Sequence, residues 1–284
     1  MDDDDDDFNV KTWATLHDAA LEVLSTPSAH KKALLTQVIA KKWFDGTSIL
    51  KARDISSGGK LVADTPERDA LVTIVSSNSN KLKLGSGRSI ESRRKILHSL
   101  SHIESWAIDL SWDIIARFAH IKMPMGYFDD WVKAAQEESK HFRLLSERLI
   151  AKGSYYGELP AHAGMWSSAE ETSEDFLGRL AIVPMVLEAR GLDVTPGMIK
   201  LFKDINDKET VKTLEIIYSE EVGHVAFGSK WFHFLCGRYD KDPKETFHEL
   251  VKKYFKSSLK PPFNDEKRAE AGIPLDFYWP IAVS

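Results

Sequence analysis

Apolar positions recur at helical spacing along most of the chain, with no sustained two-residue alternation of the kind a half-buried strand would give. Trp13, Leu16, Ala20 and Leu24 form one stripe, and Leu34, Val38 and Trp43 form another. Pro27 separates them into two short helices within residues 8–45. Residues 46–89 lose the period and carry Gly46, Ser56 to Gly59, Pro66, Ser76 to Asn80 and Gly85 to Gly87, the composition of an irregular surface segment. Ser89 then has the character of an N-cap. It opens a predicted helix over 89–119 that buries Ile96, Leu100, Ile103, Ala107, Leu110, Ile114 and Phe118. A second long helix is predicted over 128–152 with Gly153 as its stop, followed by an aromatic-rich crossover over 153–170. A third, over 169–190, turns Phe176, Leu180, Val183 and Leu187 inward and should kink at Pro184. A short helix over 198–206, a fourth long helix over 208–239 and one more to about 258 complete the pattern. The class is all-α. The expected organisation is an N-terminal extension over 1–88, a helical bundle over 89–240, and a C-terminal helix with an aromatic tail over 241–284.

With 284 residues, 43% of them hydrophobic, the chain can bury a substantial core. The formal charge is -5, and without the aspartates at positions 2–7 the remainder is close to neutral, at about +1. The acidic run reads as a solvated tail. The neutral body, lacking a basic stretch interleaved with aromatics, argues against a nucleic-acid partner. Cys236 stands alone, which excludes an intrachain disulfide and a thiolate metal cage and points to a reducing compartment. No apolar run reaches the roughly 20 residues a membrane span needs. A cytoplasmic protein without membrane association, monomeric or a small homo-oligomer, is the expectation. Gly85-Ser86-Gly87 has neither a preceding strand nor the Gly-Lys-Ser/Thr ending of a phosphate-binding loop, so no nucleotide site is read there.

The chemistry concentrates in two copies of one device, Glu138-Ser139-Lys140-His141 and Glu221-Val222-Gly223-His224. Carboxylate and imidazole three residues apart share a helix face and can grip one metal ion. A single such pair is common by chance and reads plainly as a surface salt bridge. Here, however, the copies are offset by 83 residues, and each follows a glutamate on the preceding helix: Glu104 lies 34 residues before Glu138, and Glu188 lies 33 before Glu221. Glu104 flanks an apolar stripe, where a carboxylate is costly unless paired or ligating a cation. Six candidate ligands result: Glu104, Glu138, His141, Glu188, Glu221 and His224. Four carboxylates offset the charge of two divalent cations, and one imidazole per metal leaves positions open. Glu137 and Glu220 fall roughly 100° away on their helices and are set aside. Zinc suits the set less well, because no cysteine contributes and six donors exceed one tetrahedral site. His102, Asp109, Asp175, Arg190, Tyr218 and the crossover residue His162 are candidates for the surroundings of such a centre. For each, ordinary packing or salt bridging is the plainer alternative.

Over about residues 90–270 the chain resembles the ferritin-like superfamily, in the branch filed as domain of unknown function 455. The phrases carrying the resemblance are His102-Ile103-Glu104, Glu138-Ser139-Lys140-His141-Phe142, Leu159-Pro160-Ala161-His162, Val186-Leu187-Glu188-Ala189-Arg190-Gly191-Leu192-Asp193 and Glu220-Glu221-Val222-Gly223-His224-Val225. The first 85 residues carry none. The resemblance implies a ferritin-like four-helix bundle with a carboxylate-bridged centre of two iron ions, or iron and manganese, at the six positions named. Dioxygen as co-substrate and an external electron donor come with it, but no substrate does. Related branches include tRNA-modifying hydroxylases, rubrerythrin-like peroxidases, ferritin ferroxidases and di-iron N- or C-oxygenases. One departure stands out: Gly191 and Pro196 follow Glu188 closely, so the third helix is expected to break after its ligand and open space for a substrate.

The leading expectation is an oxidoreductase that activates dioxygen to hydroxylate or oxidise a small molecule. Without paired cysteines or a flavin motif, it would take electrons from an external reductase. One alternative is metal handling, with ferroxidase or peroxide-scavenging activity; the long terminal extensions argue against a storage shell. The other is a non-catalytic helical binding protein with a structural metal.

Overall fold

The computed structural model describes residues 11–46, 62–75 and 83–283. The readings of the acidic run Asp2 to Asp7 and of Ser56 to Gly59 and Ser76 to Asn80 concern residues outside these. Among the described residues all regular structure is helical, and the only β pairings are two isolated bridges, Ile74 with Ala161 and Leu259 with Ala282. No helix among them is long and apolar enough to cross a membrane. The chain divides into two compact units, Met1–Ala163 and Gly164–Ser284.

The first unit contains α1 (Leu16–Leu24), α2 (Ala29–Phe44), α3 (Ile90–Arg117) and α4 (Met125–Ala151). Three of these begin where a hydroxyl can accept an otherwise unsatisfied backbone N–H: Thr15 from Asp18, Ser28 from Lys31 and Ser89 from Ser92. Helix α4 ends before Gly153, which adopts a φ of 71° that a side chain would resist. α3 and α4 form a long hairpin, with α1 against α3 and α2 against α4.

The buried faces are not all the apolar ones. Leu34 and Ile103, expected inside, are exposed at 36% and 37%. On α2 the inward row is Lys32, Leu35, Thr36, Ile39 and Trp43. On α3 a polar row, His98, His102, Ser105, Asp109 and Asp113, is buried at spacings of three and four residues. Cations satisfy it. Lys32 and Arg68 both pair with Asp109, and Arg117 forks onto Asp113 one turn away.

The second unit contains α5 (Gly164–Glu171), α6 (Phe176–Ile182), a π-helical segment (Val183–Glu188), α7 (Ala189–Asp204), α8 (Lys208–Arg238), α9 (Pro243–Tyr254), α10 (Asp265–Glu270) and α11 (Leu275–Tyr278). The single helix expected over 169–190 is therefore wrong. The chain breaks at 172–175, and Asp175 caps α6 by accepting from Gly178 N at 2.9 Å. At Pro184, which has no N–H for the carbonyl four residues back, the helix widens into π winding instead. The expected break after Glu188 is also absent. α7 runs through Gly191, Pro196 and Gly197, absorbing the helix expected over 198–206, because neither glycine takes a positive φ. Leu187 is half-buried. α7 and α8 pack as a hairpin, with the π segment also against α8.

Candidate metal centre

The two units each carry one copy of the same ligand plan. In the first, the middle of α3 presents Glu104 and the middle of α4 presents Glu138 and His141. His141 Nδ1 lies 3.3 Å from Glu104 Oε2 and 3.4 Å from Glu138 Oε2. One donor atom from each of the three lies within 4.8 Å of the others. Two donors at about 2.1 Å from one ion and at right angles to each other are separated by about 3 Å, so these spacings suit neighbouring donors of one cation. The residues are 5%, 2% and 0% exposed respectively, leaving little solvent to share their charge. Burial, and next the Glu138 carboxylate, hold the Glu104 carboxyl well above the usual carboxylate range, with His141 acting the other way. Two desolvated carboxylates meeting one imidazole are a donor set that a divalent cation would stabilise. The residues fit a metal.

In the second unit Glu221 and His224 repeat the motif on α8, again with Nδ1 turned toward the carboxylate, at 3.6 Å. His224 is buried, while the Glu221 side chain is 13% exposed. Glu188 closes the π-helical segment and is half-buried. Such local π winding adds a residue to a turn and recurs at functional sites. Close packing sets its position: an added Cβ on Gly228, one turn beyond His224, would lie 2.4 Å from Cβ and Cγ of Pro184. Only a glycine there lets α8 approach the segment ending in Glu188.

The family model described as "Protein of unknown function (DUF455)" matches residues 25–279. The chain belongs to the DUF455 family. The DUF455 match reaches far upstream of residue 90, so most of the segment over 1–88, with Lys32 and Arg68, lies within it. An uncharacterized protein of Haemophilus influenzae is 39% identical over 182 residues, covering 62% of this chain and 63% of that protein. No solved structure matches.

The surrounding candidates make contacts of their own. The Trp106 indole donates to His102 Nε2 at 3.0 Å, so the ring proton sits on Nδ1 and is donated to the Tyr156 hydroxyl at 3.1 Å. Burial and then Arg68 push His102 down to about 3, with His162 beside it. Asp109 holds Lys32 and Arg68. Asp175 caps α6 and accepts from the Tyr254 hydroxyl at 2.8 Å. Arg190 donates to Lys260 O at 2.8 Å and Pro262 O at 2.9 Å, and the Tyr218 hydroxyl accepts from Asn264 at 2.7 Å. Sequence reasoning missed Arg68, Tyr156, Asn264 and Arg268, whose partners lie far along the chain. Only the proline inside the third apolar run hinted at the π segment.

Proposed function

We propose that this DUF455 protein is a non-haem di-metal oxidoreductase of the ferritin-like type. Glu104, Glu138, His141, Glu188, Glu221 and His224 would hold two metal ions, iron or iron with manganese, in a four-helix bundle of α3, α4, the segment from α6 to α7, and α8. One observation carries the reading: a glutamate and a Glu-x-x-His pair occur twice, each pair with Nδ1 directed at its carboxylate.

When bound, such a pair of metals supplies dioxygen activation with electrons from an external donor, and the oxidised product would be a small organic molecule. The chain's own residues hold the donors ready for this. His141 and Glu138 are fixed by one helical turn, Glu104 by the α3 and α4 hairpin, and Glu188 by the contact of Pro184 with Gly228. Burial of His141, Glu138 and Glu104 keeps bulk water from competing for the metal. The more exposed Glu221 leaves the second half-site as the side open to exchange.

The test is elemental analysis of purified protein, followed by absorption spectroscopy of the anaerobically reduced form as dioxygen is admitted. Glu138→Ala/Glu221→Ala is the control. About two metals per chain and an oxygen-dependent band, both lost in the control, are expected. Ferrous ion consumed with no organic product would favour metal handling. Metal retained in the control would sink the six-ligand assignment.

A further inference from the structure

Pro196 lies inside α7 and cannot donate to the carbonyl four residues earlier, Leu192 O. The Asn264 side chain fills that place, its Nδ2 donating to Leu192 O at 3.2 Å. The same Nδ2 donates to the Tyr218 hydroxyl at 2.7 Å, three residues before Glu221 on α8. One amide group thus completes the helix that follows Glu188 and ties it to the helix that carries Glu221. Asn264 is itself held firmly. Its Oδ1 caps α10 by accepting from Lys267 N at 3.2 Å, and its backbone N–H donates to Asp193 Oδ1 at 2.9 Å. Arg268 forks onto the same buried carboxylate, Nε to Oδ1 at 2.8 Å and a terminal nitrogen to Oδ2 at 2.7 Å. The guanidinium lies between the Phe263 and Tyr278 rings at 5.1 and 4.7 Å.

We propose that Asn264 is a positioning residue for the second half-site, setting the spacing of Glu188 from Glu221 and His224 across the α7 and α8 pair. It touches none of these ligands and acts through Leu192 and Tyr218. The inference rests on the metal-binding reading above and assigns to the C-terminal arm a role in it.

The experiment titrates full-length metal-free protein with cobalt(II) and follows its absorption bands to obtain two stepwise affinities. Asn264→Asp keeps an oxygen to cap α10, and Tyr218 can donate its hydroxyl to the new carboxylate, but nothing is left to donate to Leu192 O. The expected result is about a tenfold weakening of one cobalt site with the other unchanged. Adding Pro196→Ala returns a backbone N–H to Leu192 O and should restore most of that affinity, a rescue that general destabilisation does not predict. Wild-type affinities in Asn264→Asp, equal weakening of both sites, or no rescue would overturn the proposal. If Asn264→Asp does not fold, Tyr218→Phe removes one of the two contacts and should weaken the same site about threefold; no change there overturns it equally. Glu221→Ala separates the two levels. If Glu221→Ala binds cobalt as the wild type does, the metal reading itself fails. If Glu221→Ala loses one site while the Asn264 variants keep both, only the positioning role fails.

Discussion

Gly228→Ala is the most exacting test of how the second half-site is built. The added Cβ would stand 2.4 Å from Cβ and Cγ of Pro184. Carbon atoms settle at about 3.5–4.0 Å, so α8 and the π-helical segment must part by about 1 Å or more. Neither side yields easily, since the proline ring is rigid and residue 228 sits within a regular helix. Overpacking of this kind costs about 1–3 kcal/mol, and alanine's better helix propensity returns about 1 kcal/mol. The net loss of about 0–2 kcal/mol should lower the melting temperature of the metal-free protein by only a few degrees. Metal binding should suffer more, because donor distances tolerate only about 0.2 Å and Glu188 ends the displaced segment. Chelator competition should show the second metal held at least tenfold more weakly, with the first unchanged. Gly237→Ala is the matched control: it lies on the same helix, an added Cβ meets nothing within 4 Å, and metal affinity should be untouched. Wild-type metal affinity in Gly228→Ala would refute the packing argument, as would an equal loss in Gly237→Ala.

Removing the carboxylate shared by the buried Lys32 and by Arg68 through Asp109→Ala should cost about 3–5 kcal/mol in urea denaturation, and Lys32→Met/Asp109→Leu should recover the part due to the buried ammonium, leaving only the more exposed Arg68 without its carboxylate. A double variant as unstable as the single would show that the pair is not the source of the loss. His98 accepts from Gly157 N at 3.0 Å, and burial pushes its pKa down to about 4 against the partial opposition of Glu158. The depressed value means that its contribution is complete above the ordinary histidine pKa and is lost as pH falls from about 6.5 toward 4, by up to about 3 kcal/mol. His98→Gln keeps an acceptor without the titration, so the acid limb of stability, read from urea midpoints between about pH 7 and 5, should flatten. An unchanged limb would remove His98 as its cause.

What could be read from sequence was what one helix decides alone. A carboxylate and an imidazole three residues apart meet on any α-helix, so the two Glu-x-x-His pairs were legible, and hairpin length pointed to Glu104 and Glu188. The π winding was only hinted at by Pro184, because a proline inside a helix can kink, break or widen it, and the close approach of Pro184 to Gly228 joins residues 44 apart in sequence. The polar row on α3 was only partly legible for a similar reason. His102 and Asp109 could be singled out as candidates, but their partners could not be named, because those of Asp109 come from distant segments, Lys32 from 77 residues away and Arg68 from 41.

That row also explains the misplacement of Ile103. From Ser101 to Ala116 every residue of α3 except Ile103 is buried, so reading a single apolar stripe as the inward face was bound to mistake the exposed position. A helix enclosed on almost every side must bury polar groups, and each needs a partner from another element. On α3 those partners are Lys32, Arg68 and Tyr156 for the polar row, and His141 for Glu104. The N-terminal segment thus supplies the cations, Lys32 and Arg68, that neutralise Asp109 on the same helix that buries Glu104. This follows the extent of the family match, which begins at residue 25, ahead of both cations. Deleting residues 1–75 should therefore cost the first half-site its metal along with stability, whereas a separable extension would leave metal binding at Glu104, Glu138 and His141 intact.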